Sequence, residues 1–144
     1  MAKIDMKSLS VLVIDDEDFM RKLIVRVLND IGVANVYTAG NGAEGLGSVQ
    51  ALGNQIDVII CDLEMPTMNG FEFVERLRGS TEQERARIPV IILTGHSDED
   101  HVSGAVKLGI NGFLVKPVAR QALEDRLSSA IMSPPIDPTR LKGS

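Results

Sequence analysis

The stretch Ile56-Asp57-Val58-Ile59-Ile60-Cys61-Asp62, followed by Leu63-Glu64-Met65-Pro66-Thr67-Met68-Asn69-Gly70, decides the fold. An apolar, β-branched run of this length predicts a strand buried on both faces. A carboxylate at its carboxyl end, with a Pro/Asn/Gly turn behind it, stands where open parallel α/β sheets place their chemistry. Asp15 and Asp16 close an earlier apolar run, 9–14, in the same way. Three carboxylates at one rim repel one another, and a divalent cation is the usual reason for them to coexist.

Outward from this stretch, further strand-like runs span 35–38, 89–93 and 112–115. Helical patterns span 18–31, 42–52, 70–78, 98–108 and 119–131. Strand–helix alternation with short loops predicts a parallel sheet with right-handed crossovers and helices on both faces. Strands as apolar as Val90-Ile91-Ile92-Leu93 need cover on both sides. The expected architecture is a doubly wound, five-stranded parallel α/β sheet. In the first helix, Phe19, Leu23, Val27, Leu28 and Ile31 form the apolar stripe expected to face the core. The charged segment 79–87 reads as the frayed end of the third helix plus a solvated loop. Residues 1–7 read as an extension, 8–131 as the domain, and 132–144 as a flexible tail or the start of a linker. Pro134, Pro135 and Pro138 bar helix continuation there.

A chain of 144 residues is one domain on length, with enough material for a real core. Its net charge of −5 argues against a general nucleic-acid surface. With no Trp and one Tyr it also lacks stacking platforms for single strands. A single cysteine, Cys61, excludes an internal disulfide and suits a reducing compartment. The first residues lack the apolar core of a signal peptide, and no apolar stretch approaches the roughly 20 residues that span a bilayer. Cytoplasm is the expected location, with neither membrane nor nucleic acid as a direct partner.

In a parallel sheet all carboxyl ends share one edge. Asp15, Asp16, Asp62, Thr94, and Lys116 followed by Pro117, therefore converge there from four strands. Oxygen ligands at a partly open site suit Mg²⁺, or the similar Mn²⁺. Lys116 adds a fixed positive charge and Thr94 a hydroxyl donor, so metal, ammonium and hydroxyl suit a phosphoryl group. One acid is then the nucleophile, since an aspartate can form an aspartyl-phosphate.

These residues carry a family resemblance. Asp15-Asp16, Asp62 with Met65-Pro66 and Gly70 behind it, Thr94-Gly95 and Lys116-Pro117 occur in the order seen in the receiver domain of two-component response regulators. The chain resembles that CheY-like domain over roughly residues 8–131. The resemblance implies a flavodoxin-like sheet of order 2-1-3-4-5. It implies that Asp62 is the phosphoacceptor, taking its phosphoryl group from a sensor histidine kinase or a histidine phosphotransfer protein. Asp16, Asp62 and the Glu64 backbone carbonyl would hold Mg²⁺, with Asp15 acting mostly through a water. Lys116 would contact the phosphoryl group and pair with the unmodified Asp62, and Thr94 would hydrogen-bond a phosphoryl oxygen. Phe113 occupies the position of the switch aromatic, reshaping the face of the fourth helix (98–108), fifth strand and fifth helix for an output protein or domain. Such a chain catalyses only its own phosphorylation and dephosphorylation. Glu64 and His96, two residues beyond Asp62 and Thr94, are expected to set the lifetime of the phosphoryl group. Ile110-Asn111-Gly112 lacks the acidic pair common in receivers that dimerise on DNA.

Other readings compete. A phosphatase using Asp62 as covalent nucleophile would want a second acid two residues on, which Glu64 supplies. That family, however, places its nucleophile after the first strand. A scaffold that binds partners without phosphorylation would be marked by a missing site residue, and none is missing. Gly40-Asn41-Gly42-Ala43-Glu44-Gly45 matches a dinucleotide fingerprint in form, but follows the second strand rather than the first. Asn41 as a helix N-cap explains it better. Asp15-Asp16 alone could be a helix cap, and Cys61 reads as a small core residue. His96 and His101 read as surface histidines.

Overall fold

The computed structural model describes residues 5–95 and 109–132. Ser10–Ile14 (β1), Asn35–Ala39 (β2), Val58–Asp62 (β3), Val90–Thr94 (β4) and Gly112–Val115 (β5) pair in parallel, in the order β2-β1-β3-β4-β5. This is the flavodoxin-like sheet anticipated from the sequence. The helices are Asp18–Ile31 (α1), Gly42–Leu52 (α2), Gly70–Arg78 (α3), the single turn Gln83–Ala86 (α4) and Arg120–Met132 (α5). The expected helix over 98–108, His96, His101 and residues 133–144 lie outside the described residues. Among the described residues no helix is long and apolar enough to cross a membrane.

Every residue of β1, β3 and β4 is buried, as their unbroken apolar runs require. The two-residue period of the strands sorts their side chains into two layers. Leu12, Ile14, Ile59, Cys61 and Ile92 pack with Val49 of α2 and with Phe73, Val74 and Leu77 of α3. Val11, Val13, Val58, Ile60, Ile91 and Leu93 pack on the opposite face with Ile24 and Leu28 of α1 and Leu123, Leu127 and Ala130 of α5.

Local signals set the helix ends. Asn69 caps α3 in a capping box with Glu72, each side chain bonding the other's backbone N–H. Asn41 caps α2 by accepting from the Glu44 N–H at 2.9 Å, so the glycine-rich stretch serves the helix start. α1 stops at Gly32, whose φ of 102° closes the last turn onto Leu28 and Asn29.

Three expectations change. Strands β3 and β4 run one residue further than the apolar runs suggested, because Asp62 and Thr94 stay in ladder register with Leu93 and Val115. The α1 stripe does not begin at Phe19, which is 78% exposed, and the fully buried face is Ile24 and Leu28. At 3.6 residues per turn Phe19 lies roughly 140° round α1 from Ile24 and about 180° from Leu28, so it faces away from the layer in which Met20, Val27 and Ile31 join those two residues. Segment 79–87 is also more than a frayed end, for it contains α4 and is tied down from α3 by Arg78.

The Arg78 guanidinium donates to the carbonyls of Gly109 (3.0 and 2.8 Å), Ala86 (2.8 Å) and Ile88 (2.7 Å), and to Asn111 Oδ1 (3.3 Å). Burial pulls its pKa down to about 10, which still leaves it charged at neutral pH. This fork fastens the α3–β4 connection to the turn entering β5. Within β5, Arg126 Nε donates to the Phe113 carbonyl at 3.0 Å. An ammonium cannot reproduce a five-donor fork. Arg78→Lys is therefore expected to lower stability by about 1–3 kcal/mol in urea denaturation, with an unchanged slope. A change below ~0.5 kcal/mol would contradict this account.

Candidate functional site

The strand ladder delivers the site residues to one edge. Asp15 N–H donates to the Ala39 carbonyl at 3.1 Å, Leu63 N–H to Leu93 at 2.8 Å, and Lys116 N–H to Thr94 at 2.8 Å. These last rungs put Asp15, Asp62, Thr94 and Lys116 side by side at the carboxyl ends of four strands. Asp15 is 0%, Asp62 2% and Thr94 3% exposed, so three polar side chains are buried at the lip of the sheet. Asp16 is exposed. Carboxylate oxygens of Asp15, Asp16 and Asp62 all lie within 4.8 Å of one another.

Lys116 Nζ sits among the acids, 3.1 Å from Asp62 Oδ1, 3.3 Å from Glu17 Oε1 and 3.5 Å from Asp15 Oδ2. Burial and then the Asp15 charge push the Asp62 carboxyl up to about 7, and the opposing pull of Lys116 does not offset them. Lys116 is raised above its ordinary value: burial works against its charge, but the Asp62 and Asp15 carboxylates outweigh it. The Cys61 thiol, inside β3, is pushed up by burial and by the neighbouring Asp62 and Asp15 charges. It is a core residue, not a reactive thiolate.

Among the described residues the buried oxygens Asp15 Oδ2 and Asp62 Oδ2 accept no hydrogen bond, while Oδ1 of each takes a backbone N–H from two residues on: Glu17 at 2.9 Å and Glu64 at 3.4 Å. Lys116 is near Asp15 Oδ2 but reaches it as a charge only. Buried carboxylate oxygens normally have partners. Two left over beside a third acid fit a hard divalent cation with oxygen ligands.

The β3–α3 turn shapes the other wall. Gly70 N–H donates to the Leu63 carbonyl at 2.8 Å, and a Cβ at Gly70 would meet the Asp62 carbonyl oxygen at 2.7 Å and Leu63 Cα at 2.9 Å. Only glycine lets the turn close this tightly on the Asp62 backbone. Thr67 takes φ 71° at the centre of a three-residue turn in which Met68 N–H bonds the Pro66 carbonyl at 2.7 Å. For a β-branched residue that backbone is strained, and the strain sits beside Asp62.

The structure thus brings together Asp15, Asp16, Asp62, Thr94 and Lys116, as the strand-end argument required. Glu64 is exposed at the mouth. Phe113 is half-buried against the α2/α3 layer. Glu17 was not singled out from the sequence, although a third acid directly after Asp15-Asp16 was the available signal. Arg21 was also missed, and its role is visible only in three dimensions. Its guanidinium donates to the Asp15 carbonyl at 2.6 Å and pairs with Asp18.

Known proteins agree with this geometry. The sequence profile of the response regulator receiver domain matches residues 11–128. Chemotaxis protein CheY1 of Helicobacter pylori is 33% identical over 119 residues, covering 83% of this chain and 94% of that protein. A solved response regulator receiver domain from Clostridium thermocellum is 36% identical, with a TM-score of 0.78 over 86% of this chain and 94% of its own. The receiver domain of a sensor histidine kinase from Pseudomonas aeruginosa, solved with a magnesium ion coordinated in its active-site cleft, is 25% identical. Its TM-score is 0.75, covering 88% of this chain and 99% of that one. Strand order, acid rim and sequence agree, and the chain belongs to the response regulator receiver domain family.

Proposed function

We propose that the chain is a phospho-accepting signalling switch in which Asp62 receives a phosphoryl group from the phosphohistidine of a sensor histidine kinase or a histidine phosphotransfer protein. The observation that carries this reading is Asp62 itself. It is a buried carboxylate with one oxygen on Lys116 at 3.1 Å and the other without a hydrogen-bond partner among the described residues, beside two further acids. The magnesium described for the Pseudomonas aeruginosa receiver supports Mg²⁺ as the cation, held by Asp16, Asp62 and the Glu64 backbone carbonyl, with Asp15 through water. When bound, it supplies charge neutralisation of the carboxylates and of the incoming phosphoryl oxygens.

In the transfer, an Asp62 oxygen bonds phosphorus as the P–N bond breaks, and that electron pair returns to the donor imidazole. Lys116 leaves Asp62 Oδ1 to meet the phosphoryl oxygens, and the Thr94 hydroxyl donates to another. Reversal is by water: the P–O bond to Asp62 breaks, inorganic phosphate leaves and the carboxylate is regenerated. Glu64, and His96 from its place two residues after Thr94 in the sequence, set the rate of that water attack. Phe113, half-buried on β5, carries the change to the face of β5 and α5, where an output protein or domain binds. The chain turns over no external substrate, acts in the cytoplasm, and contacts neither nucleic acid nor membrane directly. Residues 8–131 form the switch, with 1–7 and 132–144 as extensions.

Incubation with phosphoramidate and Mg²⁺, followed by intact mass, is expected to add one phosphoryl group to wild type and none to Asp62→Asn. An unlabelled wild type sinks the proposal. Steady hydrolysis of a generic phosphate ester would favour the phosphatase instead. Glu64→Ala is expected to change the dephosphorylation rate at least about threefold by misplacing the attacking water, and an equal rate removes Glu64 from that role.

The raised Asp62 pKa has a stability consequence without divalent cation. The folded state holds the Asp62 proton up to about pH 7, whereas the unfolded chain releases it near 3.8, so this group's contribution falls as pH rises across that window. In chelator at pH 8, Asp62→Asn should therefore melt above wild type, by about 1–3 kcal/mol, with the gap closing toward pH 4 and on adding Mg²⁺. A less stable Asn variant at pH 8 contradicts this.

A further inference from the structure

We propose that Arg21 is a positioning residue for the cation site, setting the acid rim through the main chain of Asp15; the inference rests on the cation-assisted reading above. Asp15 has four polar atoms, and three are tied. Its N–H donates to the Ala39 carbonyl at 3.1 Å, its Oδ1 accepts from the Glu17 N–H at 2.9 Å, and its carbonyl accepts from Arg21 Nη1 at 2.6 Å. Among the described residues Oδ2 alone is left without a hydrogen bond, and it lies 3.5 Å from Lys116 Nζ. Of the three ties, Arg21 supplies the sole side chain; the others are backbone to backbone or backbone to the Asp15 carboxylate.

The guanidinium is itself anchored. Its other nitrogen, Nη2, pairs with the Asp18 carboxylate, the Arg21 N–H bonds the Glu17 carbonyl at 2.9 Å, and the side chain is only 21% exposed. A planar fork that holds two points fixes their separation and orientation. Here the points are the last carbonyl of the β1 approach and the first residue of α1, so the fork spans the turn carrying Asp15, Asp16 and Glu17. The free direction of Asp15 Oδ2, and the placement of Asp16 beside it, follow from that brace.

Charge and positioning make opposite demands. A guanidinium bonded to the Asp15 main chain beside the acid rim repels a cation, so on charge alone its removal tightens divalent-ion binding. If Arg21 holds the ligands in place, its removal loosens binding, as loss of outer partners of metal ligands does. The sign of the effect decides.

The test titrates the full-length chain with Mn²⁺ by electron paramagnetic resonance, with Mg²⁺ as competitor. Arg21→Met is expected to bind both ions about tenfold more weakly than wild type. Arg21→Lys, which keeps the charge but not the fork, is expected to fall between the two. Unchanged or tighter binding in Arg21→Met overturns the inference. Should that variant fail to melt cooperatively, Arg21→Lys decides alone, and wild-type affinity in it overturns the inference. Wild type that binds no Mn²⁺, or Asp16→Asn that binds it undiminished, refutes the cation reading itself and this inference with it.

Discussion

Two buried carboxylates share one ammonium, and everything at this edge of the sheet follows from that shortage of positive charge. At 3.1 Å the Lys116–Asp62 attraction is on the order of 5 kcal/mol for an effective dielectric near 20. It is not enough. Desolvation and the Asp15 charge still leave the Asp62 carboxyl near 7. The folded chain therefore holds a site that a further cation relieves, and in which Lys116 has three carboxylates to choose among. A group so placed moves readily when one of its partners changes charge.

Much of this was legible in the sequence because it follows from strand ends. Val90-Ile91-Ile92-Leu93 can only be a doubly covered strand, and once several such strands are parallel, the polar residue closing each must share an edge with the others. The bounds slipped by one residue for a related reason: Asp62 and Thr94 look like loop residues by polarity, yet they keep their ladder register. Phe19 was misread because an i, i+4, i+8 row starting from it drifts off the true face, which runs through Met20, Ile24, Val27, Leu28 and Ile31. Glu17 and Arg21 escaped because their partners, Lys116 and the Asp15 carbonyl, are set by tertiary geometry rather than spacing. Arg78 likewise looked like one more charge in a charged segment.

The two ends of the domain differ in kind. At the amino ends of the strands, Arg78 draws four oxygens from two segments into one fork, and Asp57 Oδ2 accepts the Ser10 N–H at 2.8 Å. Those contacts are complete and leave nothing to exchange. At the carboxyl ends, two carboxylate oxygens lack hydrogen bonds among the described residues and Thr67 is strained. Local stability is expected to be high at the first end and low at the second, which is where a switch needs it.

The Arg126 bond to the Phe113 carbonyl bears on how copies of the chain meet. An edge strand exposes unpaired backbone groups and invites another strand to add to it. β5 is only four residues long, and one of its carbonyls is already taken by a side chain from α5. It is a poor template for sheet extension. Crowded copies of this chain are thereby steered away from fusing their sheets, and any meeting on this flank is left to side chains that can let go again.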